Sequence, residues 1–146
     1  MAISMTKSST TIKESLLEMA KILLVEDEQS NILVAKAWLD EFGYDYDIAH
    51  DGVEAVEKYR TNNYSLVLMD VHMNGLSGYE ATQQIRQIEK DMSRAEVPVI
   101  AMTALTLIGD QEKCISNGMN DYISKPFSNI ELRAKLSHYL KNLKTT

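Results

Sequence analysis

At 146 residues, with 15 Lys and Arg against 21 Asp and Glu and a net charge of −6, the chain has the size of one domain, which buries roughly two thirds of its unfolded surface. The acidic balance, with no clustering of basic residues, argues against nucleic-acid binding by this chain alone. No stretch approaches the roughly 20 apolar residues that cross a bilayer, and the N-terminus lacks the basic-then-apolar order of a signal peptide, so no membrane partner and a cytoplasmic location are expected.

Residues 1–20 read as an N-terminal extension. Ser4 to Thr11 is rich in Ser and Thr and is expected to be disordered. Thr11-Ile12-Lys13-Glu14 forms a capping box, after which Ile12, Leu16 and Met19 share one helical face. A linker or short helix resting on the domain accounts for this pattern, and a docking or dimerisation element is the second reading. From Lys21 to residue 146 apolar runs alternate with amphipathic stretches. Strands are expected at Lys21 to Val25, Tyr44 to Ala49, Ser65 to Met69, Val97 to Met102 and Asp121 to Ser124.

The first helix shows Ile32, Ala35, Leu39 and Phe42 on one face and is closed by Gly43. Asp51-Gly52 opens the second helix, Ser77-Gly78 the third, Thr106 the fourth and Ser128 the fifth, each a cap or turn residue. In the last helix Leu132, Leu136, Tyr139 and Leu143 repeat on one face, and no output domain is expected beyond it. Cys114 cannot pair within the chain and has no histidine nearby in sequence, so it reads as a buried small apolar residue. Trp38 and the eight methionines read as packing.

The first and third strands are apolar without alternation, as befits parallel strands covered on both faces. The expected fold is a flavodoxin-like (βα)5 doubly wound parallel sheet of strand order 2-1-3-4-5. Ligands of such sheets bind at the carboxyl ends of the strands. That edge carries Glu26 and Asp27 after the first strand, Asp70 after the third, Thr103 after the fourth and Lys125 after the fifth. Three carboxylates brought together repel one another unless a cation neutralises them, and magnesium takes oxygen ligands while keeping open positions. With Lys125 opposite, the site suits phosphoryl transfer, with Asp70 as the nucleophile.

The chain resembles the receiver domain of two-component response regulators and hybrid histidine kinases. The likeness covers about Lys21 to Leu143 and rests on ILLVEDE at Ile22 to Glu28, LVLMDVHM at Leu66 to Met73, GYEAT at Gly78 to Thr82, PVIAMTA at Pro98 to Ala104 and GMNDYISKPF at Gly118 to Phe127. The resemblance implies a phosphorelay switch in which Asp70 accepts phosphate from the phosphohistidine of a histidine kinase or histidine phosphotransfer protein. It implies direct metal ligation by Asp27, Asp70 and the His72 backbone carbonyl, with Glu26 acting mainly through metal-bound water. The metal would be Mg2+, with Mn2+ as a substitute.

Thr103 and Lys125 would hold phosphoryl oxygens, and Ala104 would leave room for the group. Tyr122 matches an aromatic that swings inward when Thr103 moves, altering a partner-binding face of helix four, strand five and helix five. Lys125-Pro126 matches a peptide bond that is cis in the family. The chain would signal to a downstream protein, with a homodimer formed through that face on phosphorylation as one route, and would be no enzyme beyond its own phosphotransfer and dephosphorylation.

The chain departs from the family's MPxMdG stretch, which reads Met73-Asn74-Gly75-Leu76-Ser77-Gly78 here and implies a looser loop with unchanged chemistry. His72 and Leu105 occupy positions that tune phosphoryl lifetime in the family. Taken singly, Asp70 is also an ordinary turn residue, Lys125 surface charge, Thr103 a strand-end hydroxyl and Tyr122 half-buried packing. The alternative function is a phosphorylation-independent adaptor or scaffold on the same fold. Retention of Glu26, Asp27, Asp70, Thr103 and Lys125 speaks against it. An aspartyl-phosphate phosphatase would want an acid at His72, and a flavin phosphate would be repelled by Glu26-Asp27-Glu28.

Overall fold

The computed structural model describes residues 20–104 and 108–145, with side chains described for 20–104 and 109–140. Five strands form one sheet: β1 (Lys21–Val25), β2 (Asp45–Ala49), β3 (Leu66–Asp70), β4 (Val99–Thr103) and β5 (Asp121–Ser124). Between and after them lie α1 (Gln29–Phe42), α2 (Gly52–Thr61), α3 (Gly78–Asp91), α4 (Ile108–Ser116) and α5 (Asn129–Thr145). The strand order is β2-β1-β3-β4-β5, with every pairing parallel, as expected from the alternating pattern. No helix among the described residues is long and apolar enough to cross a membrane.

The apolar central strands feed two cores because successive side chains of a strand leave opposite faces. Ile22 and Leu24 of β1, Leu66 and Leu68 of β3, and Ile100 and Met102 of β4 join Ala35 and Leu39 of α1 and Leu132, Leu136 and Leu140 of α5. Their neighbours Leu23, Val25, Val67, Met69, Val99 and Ala101 join Ala55, Val56 and Tyr59 of α2, Ala81, Ile85 and Ile88 of α3, and Cys114 of α4. Each fully buried Leu or Ile contributes about 1.5–3 kcal/mol of transfer free energy. Cys114 is thus the buried apolar residue its setting foretold.

Local chemistry fixes the helix ends. Gly43 closes α1 at φ +83°, donating its N–H to Leu39 and Asp40 carbonyls, a left-handed position that glycine takes without a Cβ clash. The Asp51 carboxylate accepts the Glu54 N–H at 2.7 Å, and Ser77 and Glu80 exchange the two bonds of a capping box at the start of α3. Ser128 Oγ accepts the Glu131 N–H at 3.1 Å at the start of α5. Thr106, the expected cap of the fourth helix, lies outside the described residues, as do residues 1–19 with their capping box.

Several expected boundaries shift. β3 runs one residue later than Ser65 to Met69, and β4 begins at Val99 and not Val97, so that Asp70 and Thr103 are the last residues of their strands. The cause is ladder pairing: Asp70 stands opposite Met102 and Thr103 opposite Ser124, which extends regular structure into polar residues that composition assigns to loops. β2 starts at Asp45, not Tyr44, whose N–H closes α1 by bonding the Leu39 carbonyl. In α5 the inward position falls to Leu140, while Tyr139 is half-buried and turns its hydroxyl to Asp121. Leu143 lies outside the described side chains.

The amino edge of the sheet is closed by a buried polar network. Glu89, 5% exposed, accepts from Tyr59 Oη, from the Val97 N–H and twice from Arg86. The Arg86 guanidinium also donates to the Gly118 carbonyl and to Asn120, tying α3 to the entry of β5.

Candidate functional site

At the carboxyl edge β1 ends in Val25, and the next residue, Glu26, still donates its N–H to the Ala49 carbonyl of β2. The ladder therefore sets the Glu26 side chain beside β3, where it is 1% exposed. Its Oε2 accepts the N–H groups of Asp27 and Glu28 at 3.1 and 3.3 Å, curling the chain so that Asp27 faces solvent. Asp70, 3% exposed, comes from β3, and Thr103, 2% exposed, from β4. Lys125 follows β5; its N–H bonds the Thr103 carbonyl at 2.7 Å, which anchors its backbone to β4.

The Lys125 ammonium lies between two acids, 2.6 Å from Glu26 Oε1 and 3.1 Å from Asp70 Oδ1. Glu26, Asp27 and Asp70 each offer an oxygen within 4.8 Å of the other two. One ammonium does not balance three carboxylates. Burial, followed by the hydrogen bond to Glu26 and its charge, pushes Asp70 up to about 7 against the opposing pull of Lys125. Burial also disfavours ionised Glu26, but the bonds it makes to Asp70 and Lys125, with the Lys125 charge, more than offset that and hold it below the ordinary range. Of the two acids, Asp70 is therefore the one whose charged form the site disfavours. An excess of buried carboxylate oxygen with one cation beside it is a donor set for a hard divalent ion.

The loop after β3 is shaped by two glycines. Gly75 sits at φ +79°, and a Cβ on Gly78 would collide with the Asp70 carbonyl oxygen and Val71 Cα. Gly78 donates to the Val71 carbonyl at 3.0 Å, so α3 starts against the end of β3. The Asn74 N–H reaches Asp27 Oδ2 at 3.3 Å, and the His72 N–H reaches Asp70 Oδ1 at the same distance. The His72 side chain is exposed. The Lys125-Pro126 peptide bond is cis, in keeping with the motif. Tyr122 is half-buried against the core on the α2–α4 side, with the Lys135 ammonium 6.0 Å from its ring centroid. Leu105 lies outside the described residues.

The sheet thus gathers Glu26, Asp27, Asp70, Thr103 and Lys125, while Tyr122 stands apart on the other side of the β5 ladder from Ile123. One feature escaped the sequence: Leu33, Val34 and Ile130 are 56%, 49% and 78% exposed, and Val34 lines a small pocket of about 70 Å3 with Asn31, Lys125, Pro126 and Phe127. The signal was there in the α1 pattern, since Leu33 and Val34 lie off the Ile32, Ala35, Leu39 face.

A doubly wound parallel sheet with clustered acids, a hydroxyl and a lysine at its carboxyl edge defines an α/β protein whose site is suited to a phosphoryl group and a divalent cation. The response regulator receiver domain family matches residues 22–137, and the chain belongs to that family of two-component, phosphorelay signal transduction. Histidine kinase 5 of Arabidopsis thaliana is 41% identical over 157 residues, spanning 92% of this chain and 17% of that protein. Hybrid signal transduction histidine kinase B of Dictyostelium discoideum is 40% identical over 120 residues, spanning 77% and 6%. The chain therefore covers less than a fifth of these relatives. The plant match leaves out about a dozen residues of this chain at most, so it includes residues 13–20, outside the family span.

Among solved structures, the receiver domain of a Pseudomonas aeruginosa sensor histidine kinase, with magnesium coordinated in its active-site cleft, is 41% identical at a TM-score of 0.76, covering 84% of this chain and 98% of that one. A chain in the co-crystal structure of the Saccharomyces cerevisiae histidine phosphotransfer protein Ypd1 and the receiver domain of its response regulator Ssk1 is 31% identical at a TM-score of 0.79, covering 84% and 90%.

Proposed function

We propose that this chain is a cytoplasmic phospho-acceptor switch in which Asp70 takes a phosphoryl group from a phosphohistidine of a histidine kinase or histidine phosphotransfer protein. The observation that carries the reading is the Lys125 ammonium seated between Glu26 and Asp70 beside three converging carboxylates. In the transfer the Asp70 carboxylate oxygen forms the new O–P bond as the imidazole N–P bond breaks, and the imidazole leaves with the electron pair. Lys125, with three donors, can hold a phosphoryl oxygen while keeping a carboxylate partner. Thr103, at the end of the neighbouring strand, would take another, and the exposed Ala104 leaves the approach open.

Asp27, Asp70 and the His72 backbone carbonyl would hold magnesium directly. Glu26 has both carboxylate oxygens engaged, by Lys125 and by the Asp27 and Glu28 N–H groups, and would contribute through ligand water. The ion, when bound, supplies positive charge to the phosphoryl oxygens and to the acids. Manganese, another divalent ion suited to oxygen ligands, would substitute. The phosphohistidine partner docks over the exposed Val34, which shares a small pocket with Lys125, Pro126 and Phe127. The signal leaves through Tyr122 and the face of α4, β5 and α5, toward a downstream protein or a second copy. The chain's own chemistry ends at accepting and losing phosphate.

The test is intact-protein mass after incubation with acetyl phosphate, phosphoramidate and a phosphorylated histidine protein, with and without magnesium, beside Asp70→Asn. One added phosphoryl group that requires both magnesium and Asp70 is the expected result. Failure with all three donors while magnesium still binds would leave the phosphorylation-independent scaffold in its place.

A further inference from the structure

Two Asn-Gly pairs lie in loops, Asn74-Gly75 between β3 and α3 and Asn117-Gly118 between α4 and β5. Asparagine before glycine can close on itself, because glycine has no side chain to block the approach of its nitrogen to the carboxamide. The two pairs are held in opposite ways. The Asn117 carboxamide donates to the Lys113 carbonyl at 2.8 Å and accepts from Gln83 at 2.5 Å, and the Gly118 N–H donates to the Ile115 carbonyl at 3.0 Å. Both of its reacting groups are engaged. Asn74 and Gly75 are exposed, and among the described residues neither the Asn74 carboxamide nor the Gly75 N–H has a hydrogen-bond partner. A Cβ placed on Gly75 would meet no atom within 4 Å, so the space for ring closure is already there.

We propose that Asn74 is a site of spontaneous deamidation whose product lowers the cleft's acceptance of phosphate, the second half resting on the phospho-acceptor function proposed above. The Gly75 nitrogen, on giving its proton to a base in solvent, attacks Asn74 Cγ. A C–N bond forms, the carboxamide C–N bond breaks, and ammonia leaves with the proton lost from Gly75, giving a five-membered succinimide. Water then opens the ring and returns a proton to the Gly75 nitrogen. Breaking the bond from that nitrogen to Cγ gives aspartate; breaking its bond to the old backbone carbonyl carbon gives isoaspartate.

Either product sets a carboxylate on residue 74, whose N–H lies 3.3 Å from Asp27 Oδ2 in the unmodified chain. The cleft already sets Glu26, Asp27 and Asp70 against one lysine. Its rim gains a fourth acid, which repels an anionic phosphoryl donor. Isoaspartate also lengthens the backbone by a methylene shortly before the capping box of Ser77 and Glu80 that starts α3.

Peptide mapping by mass spectrometry after incubation at mildly alkaline pH tests this, with phosphate uptake from acetyl phosphate and magnesium read on the same samples. Asn74 should convert about tenfold faster than Asn117, whose hydrogen bonds have to break first. Uptake should slow about threefold as conversion completes, the scale of one added charge near the cleft under partial screening. Asn74→Asp should show the slowed uptake without incubation. Asn74→Ser, which keeps the backbone N–H and loses the carboxamide, should hold its own starting rate throughout. Conversion at Asn117 as fast as at Asn74 would overturn the site, and full conversion of Asn74 with unchanged uptake would overturn its effect on the cleft. A fresh chain that takes up no phosphate would defeat the phospho-acceptor function, and the effect on uptake with it, while the peptide masses still report the site.

Discussion

Both ends of the sheet bury acids beside a cation, and they do so in opposite states of balance. At the amino edge one carboxylate, Glu89, is met by Arg86, Tyr59 Oη and the Val97 N–H, so each oxygen has partners and the Arg86 charge matches its own. At the carboxyl edge Glu26 and Asp70 share one lysine and Asp27 adds a third acid. The first arrangement joins α2, α3 and the start of β4. The second leaves a charge deficit that a cation or a proton has to make good. A buried ion pair stabilises only when fully satisfied, so the unsatisfied end is the one to read as functional.

The contrast can be broken from either side. Glu89→Ala should cost the most, about 3–5 kcal/mol in urea denaturation, because it removes the buried counter-charge of Arg86 and leaves Tyr59 Oη and the Val97 N–H without their acceptor; a loss under about 1 kcal/mol would show the network to be incidental. Asp70→Asn should act with the other sign. The raised carboxyl is disfavoured in its charged form by folding, so in metal-free buffer the variant should be more stable by about 2 kcal/mol at pH 8. That gain should shrink toward pH 4, where the carboxyl of the unaltered protein stays protonated in the folded state, and magnesium should reduce it at pH 8. An unchanged or lowered stability at pH 8 would remove the argument for a charge deficit.

Two smaller effects test how the edges are built. Ser77→Ala removes one arm of the capping box that starts α3 beside Asp70, with an expected cost of about 1 kcal/mol and faster amide exchange in the first turn of α3; intact protection there would count against the cap. Asp121 is disfavoured by burial but is held below the ordinary carboxylate range by Lys135, by the Tyr122 N–H and by Tyr139. Its contribution is present above the unfolded pKa of about 4 and is lost as pH falls through the lower folded value. Lys135→Gln should therefore lose well under 1 kcal/mol at pH 7, a difference that closes below about pH 4, and a gap constant to pH 3 would sink the assignment.

The sheet order and the cleft were legible because each rests on a short-range rule. Ile22 to Val25 and Leu66 to Met69 are apolar on both faces, which only a covered parallel strand accommodates, and Gly43, Asp51, Ser77 and Ser128 punctuate the helices by local hydrogen bonds. The strand ends were misjudged at Asp70 and Thr103 because polar residues inside a ladder look like loop until their partners are known. Leu140 takes the fully buried place in α5 and Tyr139 packs at the core's margin, where its phenol can reach Asp121.

The class of fold, the strand order and the residue types that meet at the carboxyl edge follow from the order of residues alone, since apolar periodicity and parallel crossovers leave few topologies. The three-dimensional arrangement was needed to show that Lys125 bridges Glu26 and Asp70, 99 residues apart for the Glu26 pair, and that Glu89 and Arg86 close the opposite edge. Such facts depend on distances between segments remote in sequence, where charge and burial act through space and leave no local pattern to read.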